Sequence, residues 1–324
     1  MYLAIDLHSH LEASCPINII NTIRKENNYS DLELEYNQKL NGLLDFSKVF
    51  GKLSRSLAKE SDFETATREF LLFQSKNNVI YSEFRVSPYH HIKYGGKSIK
   101  NIISFIKNGV KQAFETTGIY GKIIIESARH YGEEHILNVL EWFLEYYDKD
   151  FIVGFGIGGI EKNNDLSKFS NFFNIVKYKN IPLTVHAGEN GDLDNVLFAI
   201  NNDSILRIAH PLPLININKK IKKSIIDNKK LFEVCVSSNV NLGFVNNIYQ
   251  HPVRNWYKEN IPIGFGCDDS TIFNNNFISE VKLITNILNI TEKEINNIFY
   301  NSINFAFCDN NLKKVLLNKF REVL

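Results

Sequence analysis

The chain lacks any apolar run approaching the ~20 residues that a membrane-spanning helix needs; its longest candidates are broken by Asn, Lys or Glu. No membrane span is expected. The opening segment MYLAIDLHSHL has no basic leader, and Asp6, His8 and His10 stand where a secretory signal would need apolar residues. Excess charge of one sign is also missing: 37 Lys and Arg face 36 Asp and Glu, and a net charge of +1 offers no field to draw in a polyanion. Nucleic acid is not an expected partner. Cys15, Cys235, Cys267 and Cys308 lie far apart without a C-x-x-C pair, which excludes a disulfide scaffold and fits a reducing cytoplasm. No Pro/Gly/Ser-rich linker or internal repeat divides the chain, so one domain over 1–324 is the simplest organisation. No feature specifies an oligomeric state.

What is present is a composition that is 44% hydrophobic and 23% charged over 324 residues, enough to bury a substantial core. Short β-branched apolar runs recur at 3–7, 79–86, 122–127, 151–157, 181–186, 205–209, 231–236 and 261–267. Longer amphipathic stretches separate them, such as Ile102, Ile103, Ile106, Val110 and Phe114 at spacings of three and four. Eight strands, each followed by helix, predict an α/β fold, a single (β/α)8 TIM-type barrel; a doubly wound open sheet is the alternative. The interval 16–77 has no strand signal and reads as a helical insertion after strand 1. Because the loops after barrel strands open onto the active-site face, Phe46 and Phe50 in this insertion either face a ligand or pack helix on helix.

Alternation along strand 1 puts Ala4, Asp6, His8, His10 and Glu12 on one face. Two imidazoles two residues apart near a strand end can grip one metal ion, or be ordinary hydrogen-bonded histidines. Strand 5 ends in His186-Ala187-Gly188-Glu189, strand 6 in His210, and strand 8 in Asp268-Asp269. A surface scatter would not select strand ends. In a barrel these ends converge on one face, which points to a metal-centred active site.

The segments His8-Ser9-His10-Leu11-Glu12, His186-Ala187-Gly188-Glu189, Arg207-Ile208-Ala209-His210, Ser237-Ser238-Asn239 and Cys267-Asp268-Asp269 resemble, in order and spacing, the adenosine deaminase family of the metal-dependent amidohydrolase superfamily. The resemblance runs on through Glu83-Phe84-Arg85-Val86-Ser87-Pro88 and Asn301 to Phe307. It implies that His8, His10, His186 and Asp268 hold one Zn²⁺, whose bound water attacks C6 of a 6-aminopurine. Glu189 would then protonate N1, and His210 would orient the water and stabilise the adduct. Asp269 would meet purine N7 and the backbone N–H of Gly159 purine N3. The plainer readings are a fourth metal ligand or a purely structural histidine at 210, a helix cap at Asp269 and a turn glycine at 159.

Glu12 stands where members of this family that take adenosine usually have Asp, and resembles the adenine deaminase branch; its carboxylate is expected in the pocket beside purine N9. The resemblance implies deamination of adenosine or deoxyadenosine to inosine or deoxyinosine plus ammonia, a small-molecule purine being the partner. Free adenine, or another adenosine-like compound such as aminofutalosine, is the alternative substrate, and a catalytically silent metal- or nucleoside-binding protein a third reading. Glu189 and His210 speak against silence, since neither is needed to hold a metal. The zinc cytidine deaminases, which pair H-x-E with P-C-x-x-C, are excluded because this chain has no C-x-x-C.

Overall fold

The computed structural model describes residues 2–36, 40 and 42–322. The expected domain span 1–324 includes residues 1, 37–39, 41, 323 and 324, which lie outside them. Eight parallel strands close into a barrel in sequence order: β1 (Ala4–His10), β2 (Val79–Val86), β3 (Tyr120–Ala128), β4 (Ile152–Gly158), β5 (Leu183–His186), β6 (Arg207–Ala209), β7 (Leu231–Val234) and β8 (Ile263–Phe265). The open-sheet alternative is thereby removed. Nearly every strand residue is buried, because helices cover the outer face while side chains fill the inside; this is why the strands read as continuous apolar runs.

β1 is longer than its apolar run, extending through His10, and its register against β2 slips between Asp6 and Ser9. The slip breaks the expected alternation. Asp6 turns outward to accept hydrogen bonds from Gln74 (2.7 Å) and Ser82 (2.9 Å), while His8 turns inward. Asp6 is therefore separated from the two histidines with which the period of two grouped it. The barrel closes where β1 meets β8: the His10 N–H donates to the Asp268 carbonyl (2.9 Å) and the Asp268 N–H to the His8 carbonyl (3.0 Å).

The insertion after β1 is helical: α1 (Ile17–Glu26), α2 (Gly42–Ser56) and α3 (Asp62–Lys76). On α2, Phe46 stacks on Phe273 at 6.2 Å, and the Phe50 ring lies 6.5 Å from that of His10. Both aromatics also line the central cavity, so they pack and face it at once. The helix Ile99–Thr117 buries Ile102, Ile103, Ile106 and Val110 but leaves Phe114 exposed near the end, where Gly118 caps it at φ +75°. At the bottom of the barrel, Phe307 donates its N–H to Glu83 and lies under the Arg207 guanidinium at 3.9 Å. A side chain at Gly154 would strike that ring. None of the described helices is long and apolar enough to cross a membrane.

Candidate active site

The C-terminal strand ends bring His8, His10, His186, His210, Asp268 and Asp269 together, all buried. One ligand atom from each of His8, His10, His186 and Asp268 lies within 4.8 Å of the others. Asp268 Oδ1 is 3.3 Å from His8 Nε2 and 3.2 Å from His10 Nε2. His8 Nε2 has no hydrogen-bond partner although buried, as a nitrogen reserved for a ligand would be. Its other nitrogen meets Glu233 at 2.6 Å, and His186 Nδ1 meets the Ile157 carbonyl at 3.2 Å, so each ring donates backward and keeps its Nε2 lone pair for the centre. Burial pushes His10 down, but Glu126, Asp269 and Asp268 overcome it and hold it up at about 10. His186 is pushed the other way, well below the usual range, by burial and by neighbouring His8, so its ring stays neutral. A second grouping, His8, His210, Cys235 and Asp268, is also close enough to hold an ion, but burial takes the Cys235 thiol well above its usual range and leaves it a poor ligand.

His210 and Asp268 adopt left-handed backbone at φ 55° and 60°, unusual for residues other than glycine. Their turns follow strand ends and aim both side chains at the centre, which is how two adjacent acids, Asp268 and Asp269, serve one site. Ser238 anchors Asp268 with a 2.5 Å hydrogen bond. His210 is oriented by a chain of donors: Val253 N–H donates to His251 Nδ1, whose Nε2 meets Asn239 Oδ1, and Asn239 Nδ2 meets His210 Nδ1, each at 3.1 Å. The order of donors leaves the proton of neutral His210 on Nε2, pointing inward. Burial takes this histidine down to about 3, so the neutral form prevails.

Glu189 lines the cavity from the loop after β5, where Gly188 at φ +98° is closed in by Val196 and Pro213. Glu161 accepts the Gly188 and Glu189 N–H groups at 2.9 and 3.1 Å and fixes that loop. Burial, with Asp268 and Glu161, lifts the Glu189 carboxyl well above the usual range, favouring the form that carries a proton. Asp269 is lifted likewise, by burial and then by Asp268, and its Oδ1 has no partner. Gly159 lies at the rim with φ +84°, and a Cβ there would press on His130 Nδ1 at 2.6 Å. Glu12 is buried; it accepts the Ser87 N–H at 2.8 Å and stays out of the cavity lining.

The cavity measures about 810 Å³ and runs from His10, Glu189 and Asp269 past Phe46 and Phe50 to Tyr29, Arg55 and Lys97. A smaller cavity of about 340 Å³ at the other end, between Leu231 and Phe305, is lined by no carboxylate or imidazole. The sequence reading missed Glu126, Glu161, Glu233 and His251. A lone acid within an apolar strand, as in Ile123-Ile124-Ile125-Glu126, was the available signal for two of them.

The chain is 26% identical over 321 residues to an adenosine deaminase of Clostridium perfringens, covering 96% of each chain. It is 29% identical over 323 residues to an adenine deaminase of Psychrobacter cryohalolentis, covering 97% of this chain and 95% of that one. Its fold matches the crystal structure of an adenine deaminase from Arthrobacter aurescens with a TM-score of 0.88, at 22% identity and 99% coverage of both chains. A family model described as adenosine deaminase matches residues 4–323, from the first barrel strand to the last helix. That match spans all eight barrel strands, and the chain belongs to the adenosine deaminase family of hydrolytic deaminases.

Proposed function

We propose that this protein is a zinc-dependent hydrolase that removes the 6-amino group of a purine nucleoside, turning adenosine or deoxyadenosine into inosine or deoxyinosine and ammonia. The observation that carries the reading is the buried Glu189, whose surroundings favour its protonated form, facing the cavity beside a cluster of three imidazoles and one carboxylate, a donor set that suits zinc. An ion held by His8, His10, His186 and Asp268 would supply a water acidic enough to attack at neutral pH. Attack at C6 drives negative charge into the ring, and Glu189 relieves it by passing its proton to N1. The newly added C6 hydroxyl passes its proton to the amino nitrogen, the C6–N bond breaks as C6=O forms, and ammonia leaves, while the proton given up by the attacking water restores Glu189. His210, its Nε2–H aimed inward through Asn239, orients the attacking water and stabilises the adduct. Asp269, carrying a proton, donates to N7, and the Gly159 backbone N–H meets N3.

Nucleoside is favoured over free base because Glu12 is drawn away from the sugar space by the Ser87 N–H, leaving a cavity of about 810 Å³. Free adenine is the second reading, since Glu12 Oε2 is buried with no partner, as an oxygen kept for a ligand would be. The four unpaired, buried cysteines fit a cytoplasmic enzyme. Ammonia release from adenosine, deoxyadenosine, adenine and 5′-modified analogues tests the proposal: faster turnover of a nucleoside supports it, and activity on adenine alone refutes it.

A further inference from the structure

Glu126 stands on β3 as a lone acid in an apolar strand, and nothing in the proposed reaction uses it. It is buried, yet it lines the cavity, and room for it is made by β4, where Gly156 and Gly158 face it. A Cβ at Gly158 would lie 3.0 Å from Glu126 Oε1 and 3.2 Å from His186 Nδ1, and one at Gly156 3.1 Å from Glu126 Oε2. Glu126 Oε1 faces His10 Nδ1 at 3.4 Å. On the neighbouring histidine, Glu233 Oε2 meets His8 Nδ1 at 2.6 Å. One arginine spans both acids: Arg85 places Nη2 2.5 Å from Glu233 and Nε 3.1 Å from Glu126, and its Nη1 donates to the Leu7 carbonyl, one residue before His8.

The geometry points to Glu126 as a positioning residue for His10, as Glu233 is for His8, with Arg85 yoking the two carboxylates so that both histidines of β1 turn their Nε2 atoms to one ion. The inference rests on the metal site proposed above. Its physical basis is the preference of a ligating imidazole to donate its remote N–H to a carboxylate, which sets the ring orientation and raises its basicity. A single buried cation serving two acids couples the rings, so that neither carboxylate can withdraw without leaving Arg85 charged and half-paired.

The test compares the full-length protein with Glu126→Gln and Glu126→Asp by zinc competition against a chelating dye and by the visible spectrum of the Co²⁺ form. The Gln side chain keeps the size and loses the charge. We expect zinc affinity to fall ~10–100-fold in Glu126→Gln, with a shifted Co²⁺ spectrum, and to recover in part in Glu126→Asp. Wild-type affinity within about twofold and an unchanged Co²⁺ spectrum in Glu126→Gln would overturn the yoke while leaving the metal site standing. A wild-type protein that takes up no zinc would overturn the site and the yoke together. Should Glu126→Gln fail to fold, ¹H–¹⁵N spectra of the zinc-loaded wild type decide. A slowly exchanging His10 Nδ1–H supports the yoke, and ligation through Nδ1 or a rapidly exchanging proton refutes it.

Discussion

Replacing Glu189 by Gln should leave the folded protein nearly unchanged and cut turnover by ~10²–10⁴-fold. The ground-state half of this expectation comes from the carboxyl's surroundings. Burial, Asp268 and Glu161 favour its neutral, protonated form, so an amide of the same size neither creates nor removes charge in the site. The Glu189 backbone N–H still reaches Glu161, and the loop keeps its anchor. Stability should therefore stay within ~0.5 kcal/mol, and metal content should be unaffected. What the amide cannot do is release a proton to ring N1 as charge builds there. That loss corresponds to ~2.7–5.4 kcal/mol in the barrier. Steady-state ammonia release should show kcat falling with KM little changed, because the missing interaction is made only in the transition state. A Gln variant with kcat within about tenfold of wild type on its best substrate would refute the role of Glu189 as proton donor.

Three further outcomes are expected. Elemental analysis should find about one metal ion per wild-type chain and little in His8→Ala and His186→Ala proteins that remain folded; unchanged metal content in the variants would show that the ligands are elsewhere. Glu12→Asp should change the adenosine-to-adenine ratio of kcat/KM by less than the ~10–200-fold that one methylene is worth when it touches substrate, because Ser87 holds the carboxylate away; a shift within that range would place Glu12 against the sugar. His251, taken down to about 3 by burial, binds a proton in the unfolded chain before it does in the folded one. Stability should thus decline by up to ~1.4 kcal/mol per pH unit as pH falls from about 6.5 toward 3, and His251→Gln should flatten that decline in thermal melts at pH 4–6. An identical pH slope in the variant would contradict the assignment.

The barrel was legible in the sequence because every strand is buried on both faces and thus stands out as an apolar run between amphipathic helices. His8, His10, His186, His210 and Asp268 were legible because strand ends in a barrel must share one face. The supports behind them were not. Glu233 lies 225 residues from His8 and Arg85 148 residues from Glu233, and no local period connects residues that meet only after six strands have taken their places. The outward turn of Asp6 was hidden for another reason: a register slip depends on the neighbouring strand, so β1 alone carries no sign of it. Where Glu12 points likewise depends on the Ser87 N–H, a backbone donor from β2's end that residue identity does not reveal.

The seam between β1 and β8 has a consequence for how the enzyme comes into being. Two imidazoles belong to the first strand made and the carboxylate Asp268 to the end of the last, and their backbones hydrogen-bond directly to one another. At a synthesis rate of 5–20 residues per second, His8 and His10 are joined to the chain roughly 13–52 s before Asp268 is added. Through that interval the nascent chain holds two exposed histidines and no cage. On the proposed ligand set, ion capture would be confined to a chain nearly complete, and the same four side chains would also report that the barrel has closed.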